Sequence, residues 1–277
     1  MKILIFGNGM VGNELAKRLD SRHDTAIFKD HILFRHDIET ILDSEQPDVV
    51  INAIGKTGKP NVDWCESHKD ETYFANTEVP RLLALATEKF GIRLVQISSG
   101  CIYAGDGDGN GFKETDEPNF FGSFYSFTKY AAERLISYKP HVLTVRLRIP
   151  LIAGTSDRGI LSKLMKYDTI IETPNSISYL PDFIDSVIRL IESGTGNGIW
   201  NLTNPEPITH KRILEIFDEV NGTDVVGSKT FIEPKELVVT APRSNCVLSS
   251  NKINREFPGS MRNTEEAVYL AVKNYGA

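Results

Sequence analysis

No stretch of this 277-residue chain approaches the roughly 20 apolar residues that a membrane-spanning helix requires. The apolar start of MKILIFGNGM is short and runs at once into glycine, which sets it apart from a secretory leader. Like charges form no block, and 31 Lys+Arg against 37 Asp+Glu leave a net charge of −6. That balance excludes general nucleic-acid binding by phosphate neutralisation. Cysteine is scarce: Cys65, Cys101 and Cys246 make no disulfide framework and no CxxC metal spacing. The histidines His23, His31, His36, His68, His141 and His210 show no metal spacing either, so no metal is expected. Repeats, low-complexity tracts and long linkers are also missing. The absences leave a soluble, core-forming chain with no nucleic-acid or membrane partner, expected in a reducing compartment such as the cytoplasm.

What is present alternates. Lys2 to Phe6, Thr25 to Phe28, Asp48 to Ile54, Arg93 to Ser98 and Leu143 to Leu147 read as strands, most of them nearly all apolar. Val11, Leu15 and Leu19 recur at helical spacing, and Val79 to Phe90 is a second helix stopped by Gly91. Strands that are apolar throughout and alternate with helices predict a parallel sheet covered on both faces, a doubly wound α/β fold. Further on, helices are expected over Pro181 to Glu192 and over Thr209 to Val220 with Thr209 as cap. A strand is expected over Gly198 to Thr203, and a last helix starting at Asn263 or Thr264 and running to about Tyr275. The expected division is a dinucleotide-binding domain over 1–150, to which 177–204 returns, and a smaller substrate-binding lobe built mainly from 151–277.

Gly7-x-Gly9-x-x-Gly12 follows the first strand and opens the first helix, the context of a Rossmann-type dinucleotide loop. There the glycines serve a tight turn, backbone approach to pyrophosphate and close helix–strand packing, and the N–H groups of Met10, Val11 and Gly12 face the phosphates. An acidic residue at the end of the second strand would select NAD. Lys29 stands there instead, with Asp30 after it and Arg35 nearby, which favours the 2′-phosphate of NADPH, with NADH the alternative. Asp37 and Ile38 are a candidate adenine contact, the carboxylate taking the exocyclic amine and the aliphatic chain packing on the ring. Asn52, Ala53 and Ile54 end a strand where small residues admit the cofactor.

Tyr125 and Lys129, at i and i+4, share one helix face. An ammonium beside a phenol is expected to favour the phenolate and lower the tyrosine's pKa, which suits proton transfer near neutral pH. Ser99, just after the Arg93–Ser98 strand, is placed to hydrogen-bond a substrate carbonyl oxygen.

These residues lie within longer matches: Asn52-Ala53 through Gly58, Pro60-Asn61-Val62-Asp63-Trp64-Cys65-Glu66, Gly100-Cys101-Ile102, and Gly122-Ser123-Phe124-Tyr125-Ser126 with Thr128-Lys129. Pro174-Asn175-Ser176, Gly198-Ile199-Trp200-Asn201 and Ala241-Pro242-Arg243-Ser244-Asn245 continue them. On these residues the chain resembles the extended short-chain dehydrogenases/reductases, in their dTDP-4-dehydrorhamnose reductase branch. Within that branch it resembles the nucleotide-rhamnose synthase/epimerase-reductases. The resemblance implies inversion at C3 and C5 of UDP-4-keto-6-deoxyglucose, then reduction at C4 to UDP-β-L-rhamnose. It further implies a homodimer, and a separate 4,6-dehydratase that supplies the UDP-sugar, or a dTDP-sugar.

Protons on C3 and C5 are acidic because each is α to the C4 ketone, whose oxygen Ser99 and Tyr125 are expected to hold. If the chain stays extended past Ser99, Cys101 points into the same pocket and serves as the base, as in the related GDP-fucose synthases. Lys163 matches the opposing acid of the plant-type enzymes, with Lys166 as fallback. Arg243 is expected to clamp the substrate pyrophosphate. Asn175 and Ser176 are expected on nucleotide or sugar hydroxyls and Asn61 near the sugar, with Cys65 and Cys246 structural. Two competing readings are a reductase without epimerase activity, which needs no thiol at 101, and a regulatory subunit that only binds nucleotide, which needs neither Ser99 nor Tyr125 and Lys129.

Overall fold

The structure, a computed structural model, describes residues 1–29 and 34–276. Asp30 and His31 therefore lie outside the described residues. The chain runs β1 (Lys2–Phe6), α1 (Met10–Leu19), β2 (Asp24–Phe28), α2 (Arg35–Glu45) and β3 (Val49–Asn52). Two short helices follow, α3 (Trp64–Ser67) and α4 (Lys69–Tyr73), then a π-helical turn at Phe74–Glu78 that leads into α5 (Val79–Phe90). Next come β4 (Arg93–Ser99), α6 (Phe124–Ile136) and β5 (Val142–Leu147). These build a six-stranded sheet in the order β2-β1-β3-β4-β5-β9, parallel at every pairing, with β9 at Gly198–Asn201.

The period-2 geometry of a strand explains the two layers. Ile3 and Ile5 of β1 point to one face, with Leu15 and Leu19 of α1 and with Phe183, Ile184 and Val187 of α8 (Leu180–Glu192). Leu4 and Phe6 point to the other, with Ile38 and Leu42 of α2, Leu83 of α5 and Ile136 of α6. Burying each such side chain contributes about 1.5–3 kcal/mol, so the alternation in LysIleLeuIlePhe by itself specifies which helices must cover which face.

The remaining elements form a third core. They are β6 (Pro150–Leu151), α7 (Ile160–Lys166), β7 (Thr169–Ile171), β8 (Ser178–Tyr179), α9 (His210–Asn221), β10 (Thr230–Ile232) and α11 (Thr264–Lys273), while α10 (Asn251–Glu256) joins the first core through Ile253. Leu151, Leu161, Leu164, Ile177, Ile213, Val268 and Val272 close the third core. Thr209 caps α9 by accepting from the Arg212 N–H, and Asn263 caps α11 by accepting from Glu265 and Glu266. The strand expected over 48–54 stops at Asn52, because Ala53 turns in against Gly7. The strand expected over 198–203 stops at Asn201, although Leu202 still donates to the Arg146 carbonyl at 3.0 Å.

Candidate active site

The glycine turn is built for contact on two sides and for space on the third. Gly7 has φ +110°, and a Cβ there would lie 2.8 Å from Ala53. A Cβ on Gly12 would fall 1.9 Å from the Gly7 carbonyl oxygen, so that site accepts only glycine. Gly9 is different: a Cβ would meet nothing within 4 Å. It also caps α1 without any side-chain hydrogen bond, so the N–H groups at the helix start have no protein cap. A free helix start beside open space fits a pyrophosphate. The Met10 and Val11 side chains pack against the core, leaving their backbone for that role.

Other expected cofactor residues are used differently. Ile38 is fully buried between α2 and the sheet, so its side chain packs in the core and does not stack on a ring. The Asp37 carboxylate accepts from the Phe34 N–H at 2.8 Å. Asn52 is fully buried, donating to Gln96 Oε1 at 2.7 Å and accepting from the Ile54 N–H at 3.0 Å; it holds the turn that places Ala53. Lys29 is exposed directly after β2, while Arg35 is taken by Glu39 at 2.6 Å.

At the carboxyl end of the sheet, β4 finishes on Ser99 and turns at Gly100, where a Cβ would strike Leu248 at 2.6 Å. The segment does not stay extended, contrary to the premise for Cys101: the Tyr103 N–H closes a turn onto the Gly100 carbonyl at 3.3 Å. The turn still keeps Cys101 in the site, with its N–H donating to Ser99 Oγ at 3.1 Å. From the other side α6 starts at Ser123, whose hydroxyl accepts from the Ser126 N–H, and presents Tyr125 and Lys129 on its buried face.

Tyr125 corrects one expectation. Burial pushes its hydroxyl up, with the neighbouring Cys101 adding to the shift and the Ser99 hydrogen bond opposing it. Lys129 does not offset this, because its ammonium donates to the Ile97 carbonyl at 3.2 Å. Lys129 itself is pulled down to about 8 by burial, against the pull of Glu133 one helical turn on. Tyr125 is thus held as a neutral phenol, a proton donor rather than a phenolate.

Arg148, just past β5, was not foreseen. Its guanidinium donates from Nη1 to Cys101 Sγ at 3.0 Å, and from Nη2 to Asn175 Oδ1 at 2.6 Å and to the Ser244 carbonyl. Asn175 and Ser176, expected on the substrate, are buried instead. Asn175 Oδ1 also accepts from the Cys246 N–H, and Ser176 Oγ accepts from the Leu248 N–H. Their hydrogen bonds brace the wall behind Cys101. A second unforeseen group is the buried pair Arg146–Glu133, 2.5 Å apart, with Ser98 donating to the same carboxylate. The signal was available: two arginines at i and i+2 in the otherwise apolar LTVRLRI demand buried partners.

Arg243 forms a bidentate pair with Asp63, 2.7 and 3.0 Å, and holds that carboxyl below its usual range. Asn61 Oδ1 accepts from the Asp63 N–H at 2.9 Å, so 61, 63 and 243 are one cluster. Lys163 on α7 is half-buried. Burial, with the charges of Arg158 and Arg243, pulls its ammonium down. Lys166 is exposed and paired with Asp157 at 2.7 Å, which removes it as fallback. Cys65 and Cys246 are buried, and burial pushes both thiols up. No group of three or more metal-ligating side chains occurs among the described residues, and no helix there is long and apolar enough to cross a membrane.

A doubly wound sheet with an open glycine turn and a Ser99/Tyr125/Lys129 centre at its carboxyl edge defines a dinucleotide-dependent reductase class of fold and site. The chain belongs to the family described as the RmlD substrate binding domain, which matches residues 1–276. An Arabidopsis thaliana bifunctional dTDP-4-dehydrorhamnose 3,5-epimerase/dTDP-4-dehydrorhamnose reductase is 35% identical, over 96% of this chain and 90% of that protein. The trifunctional RHM1 of the same plant, a UDP-glucose 4,6-dehydratase/UDP-4-keto-6-deoxy-D-glucose 3,5-epimerase/UDP-4-keto-L-rhamnose-reductase, is 34% identical over 98% of this chain. The chain spans only 42% of RHM1. Among solved structures, the L780 UDP-rhamnose synthase of Acanthamoeba polyphaga mimivirus superposes with a TM-score of 0.92 at 28% identity, covering 99% of both chains.

Proposed function

We propose that this protein is a bifunctional 3,5-epimerase/4-reductase that converts UDP-4-keto-6-deoxy-D-glucose to UDP-β-L-rhamnose with NADPH. The observation that carries the reading is the meeting of Cys101 with Ser99, Tyr125 and Arg148, because a reductase alone has no use for a thiol beside its carbonyl-binding residues. NADPH, held on the Gly7–Gly12 turn, supplies the hydride for C4. Ser99 and Tyr125 hold the C4 oxygen, and Tyr125, kept neutral by burial, gives it a proton. During inversion the same pair stabilises the enolate oxygen.

Cys101 takes the proton from the α-carbon, and Lys163 returns one to the opposite face. The lowered ammonium of Lys163 supports its part, since it releases a proton more readily than an ordinary lysine. Arg243 and Asn61 hold the substrate diphosphate and sugar. Two accompanying parts of the reading are a separate 4,6-dehydratase that supplies the keto-sugar, and a homodimer. The exposed Phe127 and Leu135 on α6 and Tyr138 after it support self-pairing.

The test is product stereochemistry. Incubated with the UDP-keto-sugar and NADPH, the wild-type protein is expected to yield the L-rhamno sugar, identified by its proton couplings in NMR. A product that keeps the D-configuration at C5 refutes the epimerase half and leaves a reductase. The same reaction with the dTDP-sugar decides the nucleotide.

A further inference from the structure

Cys101 is held by a group just past the end of the neighbouring strand β5 that neither the glycine turn nor the Tyr125–Lys129 pair needs. Arg148 is buried, 5% exposed, and each arm of its guanidinium has a fixed task. Nη1 donates to Cys101 Sγ at 3.0 Å, while Nη2 is locked by Asn175 Oδ1 at 2.6 Å and by the Ser244 carbonyl. Asn175 is locked in turn: its Oδ1 accepts from the Cys246 N–H at 3.0 Å and its Nδ2 donates to Asn245 Oδ1 at 3.2 Å. The guanidinium plane is therefore fixed by neutral partners that carry no charge to cancel its own. Among the described residues no carboxylate is a hydrogen-bond partner of this guanidinium; a sulfur is. A buried cation with no carboxylate partner is costly unless an anion forms beside it.

We propose that Arg148 is a positioning residue for epimerisation: the hydrogen bond from its guanidinium fixes and activates the Cys101 sulfur, aimed at the carbon-bound proton of the substrate. The inference rests on the epimerase/reductase reading above and adds the residue that makes the thiol a base. The charged or titratable groups facing Cys101 are Arg148 after β5, Tyr125 and Lys129 on α6, and Cys246 from the loop behind it. Of these, Arg148 alone donates to the sulfur. In the proton-transfer step the C–H bond of the α-carbon breaks, its electron pair becomes the enolate, and the proton passes to Sγ, giving a neutral thiol. Loss of that proton to water restores the thiolate, and no oxidant or reductant is consumed.

The experiment compares the wild type with Arg148→Met and Arg148→Lys in the full chain. Iodoacetamide alkylation of Cys101 is followed by peptide mass spectrometry, alongside thermal unfolding and solvent-deuterium exchange at C3 and C5. Arg148→Met is expected to alkylate at Cys101 about tenfold more slowly at pH 7. Arg148→Lys keeps the cation but not the two-armed grip. It is expected to recover much of the alkylation rate, while exchange stays about tenfold down relative to C4 reduction. Alkylation of Arg148→Met at the wild-type rate overturns the proposal. If Arg148→Met does not fold, Arg148→Lys decides: wild-type exchange in that variant overturns the positioning role. A wild type that reduces the substrate without taking up deuterium overturns the epimerase reading instead, and the alkylation comparison separates the two failures.

Discussion

The Cys101 N–H donates to Ser99 Oγ across 3.1 Å, so the proposed base for a carbon-bound proton is tied to the residue proposed to hold the carbonyl oxygen. Deprotonation α to a ketone is productive only while its oxygen is stabilised, and one turn of chain supplies both groups. Tyr125 reaches the same point from α6, so the proposed reduction at that ketone would use the same oxygen-binding pair.

The two glycines of the turn separate fold from ligand. Gly12→Ala drives a Cβ to 1.9 Å from the Gly7 oxygen and is expected to lower stability by about 2 kcal/mol or more, seen as a lower Tm. Gly9→Ala meets no protein atom and is expected to leave Tm within about 1 °C while weakening NADPH binding at least about tenfold. Equal Tm losses in both variants would contradict the assignment of Gly9 to the ligand.

Tyr125→Phe removes the proton donor and should cut C4 reduction by about 100-fold or more with little change in Tm, measured as NADPH oxidation. Lys129, at about 8, is charged below that pH and neutral above it. With the Lys129 ammonium proposed to hold the cofactor ribose, reduction is therefore expected to decline as pH rises through about 8. A rate that is flat from pH 7 to 9.5 would remove the Lys129 ammonium from the mechanism.

Arg243→Gln tests the diphosphate clamp. Binding made equally in ground and transition states changes KM and not kcat, so KM for the nucleotide sugar is expected to rise about tenfold with kcat nearly unchanged. An unchanged KM would mean that Arg243 serves only to tie its loop to Asp63.

His210 makes the acid limb of stability. Burial holds its imidazole neutral down to about 4, against 6.5 in the open chain. Between those values the unfolded chain binds more protons than the folded one, so stability falls as pH drops from 6.5 to 4, by about 3 kcal/mol at the end. His210→Asn should flatten that limb in denaturant titrations at pH 7, 5.5 and 4.5. A limb as steep as that of the wild type would contradict it.

What could be read in the sequence was local. The glycine spacing, the i, i+4 pair Tyr125/Lys129 and the Thr209 and Asn263 caps are contained within a few residues, and the structure keeps each of them. What could not be read depends on distant partners. Arg148 meets Cys101 47 residues away and Ser244 96 residues away. Asn175 and Ser176 were expected on nucleotide or sugar hydroxyls, yet they are buried and bonded to the 245–248 segment. Ile38, expected on the adenine, is a different case: its helical spacing with Leu42 is a local signal for the core, and that outweighs its neighbour Asp37. Cys101 reached its expected place by a turn rather than by an extended strand.

The central claim is that one chain performs both inversion and reduction. Wild-type protein incubated in D2O with the UDP-4-keto-6-deoxy-sugar and NADPH, with the product read by NMR, tests it most directly. The account predicts a rhamnose product carrying deuterium at C3 and C5 and protium, from the cofactor, at C4; a reduced sugar with protium at C3 and C5 would contradict it.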